Sequence, residues 1–242
     1  MSDMRVLLAC VALAGCASAG KGNSIIGGLD DAGVGDANDF PSIDAAVIDA
    51  PPEQVTLSQS AADTITAGNT FACRDVDTGV TAENHYYRMF ALDDHGVRGT
   101  LHVQHVDFGI EKADGGFFSS QSGKVSLGVY GGAITDTVID LAKVRSVASA
   151  DIKIADGRGT RMTVPITGDV AAGSILVVEL GVDDGALNDA VFLIGSNNQG
   201  ERRPGFTRAV DCGYTSPTKM ATIAKDIGVA EADIILSVTG TR

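Results

Sequence analysis

The sequence predicts an all-β domain, an antiparallel and jelly-roll-like β-sandwich over residues 55–242, behind a disordered tether. Three observations predict it. Apolar residues recur with a period of two in many short runs, Gly- and Asp-rich turns separate those runs, and helical periodicity is confined to short stretches.

The first strand signal is Tyr86 to Leu92, aromatic-rich and bounded by Asn84 and by Asp93-Asp94-His95-Gly96. Gly99 to Ala113 alternates with a change of phase. Leu101 and Val103 share one parity, and Val106, Phe108 and Ile110 take the other, so a bulge near Gln104 is needed to put both sets on the core. Val125, Leu127 and Val129 alternate with Ser126, Gly128 and Tyr130. Further strands are expected at Val144 to Ile154, Arg161 to Ile166, Ser174 to Val182, Val191 to Gly195 and Ile234 to Thr239. The turns between them are Asp114-Gly115-Gly116, Asp156-Gly157-Arg158-Gly159, Asp183-Asp184-Gly185 and Asn197-Asn198. Ser216-Pro217 is a start signal for a short helix with Met220, Ile223, Ala224 and Ile227 on one side, and Val138 to Lys143 suits another turn.

The chain before the domain has a different chemistry. Residues 1–15 read as an export signal: Arg5 is the positive charge, and Val6 to Leu13 is an uncharged apolar run far short of the roughly 20 residues that span a bilayer. The tetrapeptide Leu13-Ala14-Gly15-Cys16 resembles the lipobox of bacterial lipoproteins. That resemblance implies cleavage before Cys16, a diacylglycerol on its sulfur and an acyl group such as palmitate on the new amine. The lipid bilayer is then a partner of the protein, and Ala17, not Asp, implies the outer membrane of a Gram-negative cell. Two or three chains meet the requirement for stable anchoring without a protein helix. Residues 16–54 hold seven carboxylates against Lys21 with Pro41, Pro51 and Pro52, and show no regular period. Such a segment cannot bury enough surface to order itself. A flexible chain of that length spans roughly 35 Å on average and about 120 Å when straight.

Within the domain, Asn84-His85-Tyr86-Tyr87-Arg88-Met89-Phe90-Ala91-Leu92, Val106-Asp107-Phe108-Gly109-Ile110-Glu111, Val177-Val178-Glu179-Leu180, Phe192-Leu193-Ile194-Gly195-Ser196-Asn197 and Ala209-Val210-Asp211-Cys212-Gly213 follow one another in order. Together they resemble a β-sandwich module of secreted bacterial proteins, often appended to enzymes or anchors. The resemblance covers most of residues 70–240, implies an extracellular accessory or adhesive domain, and carries no catalytic residues with it.

Cysteine arithmetic follows from export. Cys10 leaves with the signal and Cys16 is lipidated, so Cys73 and Cys212 remain as an expected disulfide, with two free buried thiols as the alternative.

The protein's net charge is −13, of which −7 falls on residues 55–242. Nucleic-acid recognition calls for a basic patch, so that class is excluded. No serine-hydrolase elbow, zinc-protease helix or phosphate-binding loop is present, so a hydrolase would have to act without a known motif. His105 and Asp107 share a strand face but are too few to hold a metal. Glu179 lies among apolar neighbours and calls for a cationic partner, for which Arg88, in an equally apolar strand, is the candidate for a structural ion pair. The cluster Asp183, Asp184, Asn188 and Asp189 is a candidate site for structural calcium, which takes loop oxygens, with Asp93 and Asp94 as a second acidic cluster. The expected function is a non-catalytic binding or structural module at the cell surface. The alternatives are a carbohydrate-binding module, which the absence of Trp argues against, and an enzyme.

Overall fold

The computed structural model describes residues 52–242. The export signal, Cys16 and residues 17–51 of the expected tether lie outside the described residues.

In chain order, seven strands come first: β1 Gln54–Ser58, β2 Asn84–Ala91, β3 Leu101–Asp114, β4 Ser120–Tyr130, β5 Val144–Ala155, β6 Gly157–Val170 and β7 Ile175–Val182. A shorter-stranded insertion follows: β8 Val191–Ile194, β9 Ser196–Asn197, β10 Phe206–Ala209, β11 Tyr214–Lys219, helix α1 Met220–Ile227 and β12 Asp233–Ile234. Strand β13 Leu236–Thr241 closes the domain.

The first sheet has the order β1-β13-β3-β6, with β8 paired to the far part of β3. The second has the order β11-β10-β2-β7-β4-β5, and β9 pairs with β12 in a small third sheet. All pairings between named strands are antiparallel. With β13 taken as the eighth strand, the main sheets read 1-8-3-6 and 2-7-4-5. Successive strands therefore alternate between sheets except at the β4–β5 hairpin, which is the jelly-roll arrangement of two Greek keys. The insertion between the seventh and eighth strands widens the second sheet by β10 and β11.

The bulge expected in β3 is present. Its pairing with β6 slips between Val103 and His105, and the β13 pairing slips opposite the same point. Gln104 is the extra residue, and Leu101, Val103, Val106, Phe108 and Ile110 are all buried as a result. They pack against Tyr86, Phe90, Leu127, Val178 and Leu180 from the second sheet to form the main core. A smaller core lies on the other face of the second sheet, where Tyr87, Met89, Val177 and Phe206 meet Ile139 from the β4–β5 connection.

Two expectations shift. The helix begins at Met220, not at Ser216-Pro217, because those two residues lie in β11. Strand β11 is a sheet edge, where a proline that cannot donate to a neighbour is tolerated. The ordered domain also starts before residue 55: Gln54 opposes Thr241, and Glu53 exchanges backbone hydrogen bonds with Arg242.

Cys73 and Cys212 form a disulfide with Cα atoms 5.8 Å apart, joining the β1–β2 connection to the turn between β10 and β11. A loop of that length is worth up to about 5 kcal/mol in the chain-entropy account. It fastens the insertion to the part of the chain that precedes β2.

Candidate binding face

The outer face of the second sheet is covered over one half only. Towards Ala91, Ile175 and Tyr130 the β4–β5 connection folds over it. Towards His85, Glu179 and Lys124 it is open, and the side chains there are polar. Strand register sets the pattern. His85 stands opposite Arg208 of β10 and Gly181 of β7, and Gly181 stands opposite Lys124 of β4, itself opposite Asp151 of β5. The next outward row is Tyr87, Glu179, Ser126 and Ser149.

The centre of this face is one network. His85 Nδ1 lies 2.7 Å from Glu179 Oε1, and the Tyr87 hydroxyl donates to the same oxygen at 2.9 Å. His85 Nε2 contacts the Glu83 carboxylate and lies 2.6 Å from an Arg208 guanidinium nitrogen. One nitrogen cannot donate and accept at once. Protonated, Nε2 gives its hydrogen to Glu83; neutral, it accepts from Arg208. Arg208 also lies 3.6 Å from Glu83, so it keeps a partner in either state. Gly181 makes room for the ring, since a Cβ there would sit 2.9 Å from His85 Nδ1.

Electrostatics favour the charged state. Burial works against the His85 cation, but its hydrogen bonds to Glu179 and Glu83 outweigh that and raise the imidazole pKa above its ordinary value. Burial likewise opposes ionisation of Glu179, and its bonds from His85 and Tyr87 overcome that and hold its pKa below the usual carboxylate range. Burial, and then the neighbouring Glu179 charge, push the Tyr87 phenol upward, so it stays a donor. Among the described residues no serine, threonine or cysteine is hydrogen-bonded to the His85 ring. The arrangement therefore offers fixed charges and hydrogen-bonding groups on a sheet, not an activated nucleophile.

The expected Arg88–Glu179 pair does not form. Arg88 and Tyr87 are adjacent on β2, so their side chains leave opposite faces, and Glu179 is on the Tyr87 side. Arg88 enters the main core and is fully buried. Its Nη1 donates to Glu201 at 2.5 Å and to the Arg203 carbonyl at 2.7 Å, and its Nη2 donates to the Ile234 carbonyl at 2.5 Å. It thus clips the insertion onto the second sheet. The cationic partner of Glu179 is His85, whose position two residues before Tyr87 was the available signal.

The structure does not gather the carboxylates of the expected calcium cluster into one group. Among the described residues no group of three or more His, Cys, Asp or Glu side chains is placed to hold a metal. Asp184 instead accepts the Ala186 N–H in its own turn, and the Asn188 backbone carbonyl accepts from Phe117 N–H. Asp183 and Asp189 are exposed loop residues. In the second acidic cluster Asp94 pairs with Arg203 at 2.6 Å. His105 lies 3.3 Å from Asp107, a pair within one strand.

The fold and this face together define a jelly-roll protein with an open, charged sheet surface. No protein-family model, curated protein or solved structure matches the chain.

Proposed function

We propose that this chain is a membrane-anchored extracytoplasmic lipoprotein whose jelly roll is a non-catalytic binding module. Acyl chains on Cys16 hold it in the outer membrane of a Gram-negative cell, and the acidic segment after Cys16 spaces the domain from the bilayer. The observation that carries the binding role is the open half of the second sheet, where five strands present charges already paired with one another. The lipobox-like Leu13-Ala14-Gly15-Cys16 supports the anchor, and a disulfide suits an oxidising compartment. Labelled palmitate fed to expressing cells tests it. The parent chain is expected to take up label and sediment with membranes, while Cys16→Ser loses both. Equal membrane association of the variant contradicts the anchor.

A carbohydrate ligand is the second reading, favoured by the hydroxyl and charged groups of that open face. Tyr87 is buried and the chain has no Trp, so a sugar would be gripped by hydrogen bonds and not by stacking. A glycan array comparing the parent with Glu179→Gln separates the two: a polysaccharide signal that the variant loses supports sugar binding, and a blank array rejects it.

A further inference from the structure

The end of the sandwich away from Glu53 and Arg242 carries exposed apolar side chains on three loops. Val76 is 93% exposed, Phe117 75%, Phe118 70% and Leu187 91%. Single exposed apolar residues are ordinary, but a cluster on adjoining loops marks an interaction surface. These loops are joined to one another. Phe117 N–H donates to the Asn188 carbonyl at 3.1 Å, Gly185 N–H to the Thr81 carbonyl at 2.8 Å, and Thr81 N–H to the Ala190 carbonyl at 3.2 Å. Gly116 has a φ of 57°, and a Cβ there would lie 1.8 Å from the Asn188 carbonyl oxygen, so only glycine allows the two loops to meet. The apolar side chains therefore project from a fixed frame.

Charge is concentrated at the same end. Residues 74–82, 114–119, 156–159 and 183–190 hold seven carboxylates against Arg74 and Arg158, while the rest of residues 55–242 holds sixteen acids and fourteen bases. Most of the net charge of the domain thus surrounds these side chains. They also lie far from where the chain enters. Gln54 pairs beside the start of β3, and β3 then runs from Leu101 to Asp114, roughly 40 Å at the ordinary rise per residue.

We propose that this far tip docks on a protein whose surface presents basic side chains around an apolar depression that takes Phe117, Phe118 and Leu187. An anionic bilayer is the wrong occupant, because the carboxylates beside the apolar groups would be repelled by it. A basic protein surface neutralises them, steers the encounter and leaves the phenyl rings as anchors. The surface is separate from the open sheet face, and the inference holds whether or not Cys16 carries lipid.

The test is photocrosslinking in cells that express the full chain, with p-benzoylphenylalanine replacing Phe118, Leu187 or, as a control at the opposite end, Leu141. The proposal expects one discrete protein adduct from positions 118 and 187 and none from 141. The captured segment should be rich in Lys and Arg, and its yield should fall at least about tenfold when Asp184→Asn and Asp189→Asn are combined. Crosslinks to lipid alone, an adduct on an acidic or neutral segment, a yield indifferent to the two charge changes, or no adduct at all overturns it.

Discussion

Strand β2 carries two ionic clusters on its opposite faces, and they behave in opposite ways. In the interior, Arg88 and Glu201 are both driven towards their neutral forms: burial lowers the Arg88 pKa and raises that of Glu201, and their mutual attraction does not make up the difference. On the open face, His85 and Glu179 are both driven towards their charged forms, because hydrogen bonding there outweighs burial. The same pairing chemistry thus serves two ends. The interior pair holds three chain segments in place at an electrostatic cost, and the open pair keeps its charge at the sheet surface.

Removing one interior partner has the largest expected effect. Arg88→Ala leaves Glu201 part-buried without its cation and the Arg203 and Ile234 carbonyls without their donor. It should destabilise the domain by about 3–5 kcal/mol in urea unfolding. Replacing both partners sharpens the point. Arg88→Met with Glu201→Leu removes the desolvation cost together with the bond, so most of that loss should return. A double variant as unstable as the single one would mean that Arg88 acts through its carbonyl contacts alone.

The open pair should matter less for stability. Glu179→Gln keeps the shape and loses charge-assisted bonds to His85 and Tyr87, for an expected cost of about 1 kcal/mol. The sign of its pH dependence follows from the two shifts. The raised His85 pKa gives a contribution complete below the ordinary imidazole value of 6.5 and lost as pH rises through the folded value. The lowered Glu179 pKa gives one complete above the ordinary carboxylate value of 4.5 and lost as pH falls through the folded value. The gap between parent and variant is therefore widest between pH 4.5 and 6.5 and narrows on both sides. Unfolding curves across pH 3–9 check this, and a gap that widens above neutrality breaks the contrast.

The strands were legible where alternation was long, as in β3, where the parity change at Gln104 located the bulge before any pairing was known. Strands β1, β10 and β11 were not, because Gln54–Ser58 adjoins the acidic segment, Phe206–Ala209 is four residues, and Pro217 reads as a helix start. For β2 and β7 the sequence showed two apolar strands, with Arg88 in one and Glu179 in the other. It could not say which face of one strand joins which face of the other, and that single missing bit turned Glu179 towards Arg88 in place of His85. The charge surrounding the far tip was visible as separate Asp-rich turns, but only the jelly-roll topology gathers those turns at one end.

The contrast rests above all on His85 being charged between two carboxylates on an open sheet. NMR titration of the four histidine rings measures this directly. The account predicts a His85 midpoint above 6.5 in the parent that drops in Glu179→Gln, while partly buried His95, beside Arg202 and Arg203, titrates below 6.5. A His85 midpoint at or below 6.5, or one that Glu179→Gln leaves unmoved, would contradict it.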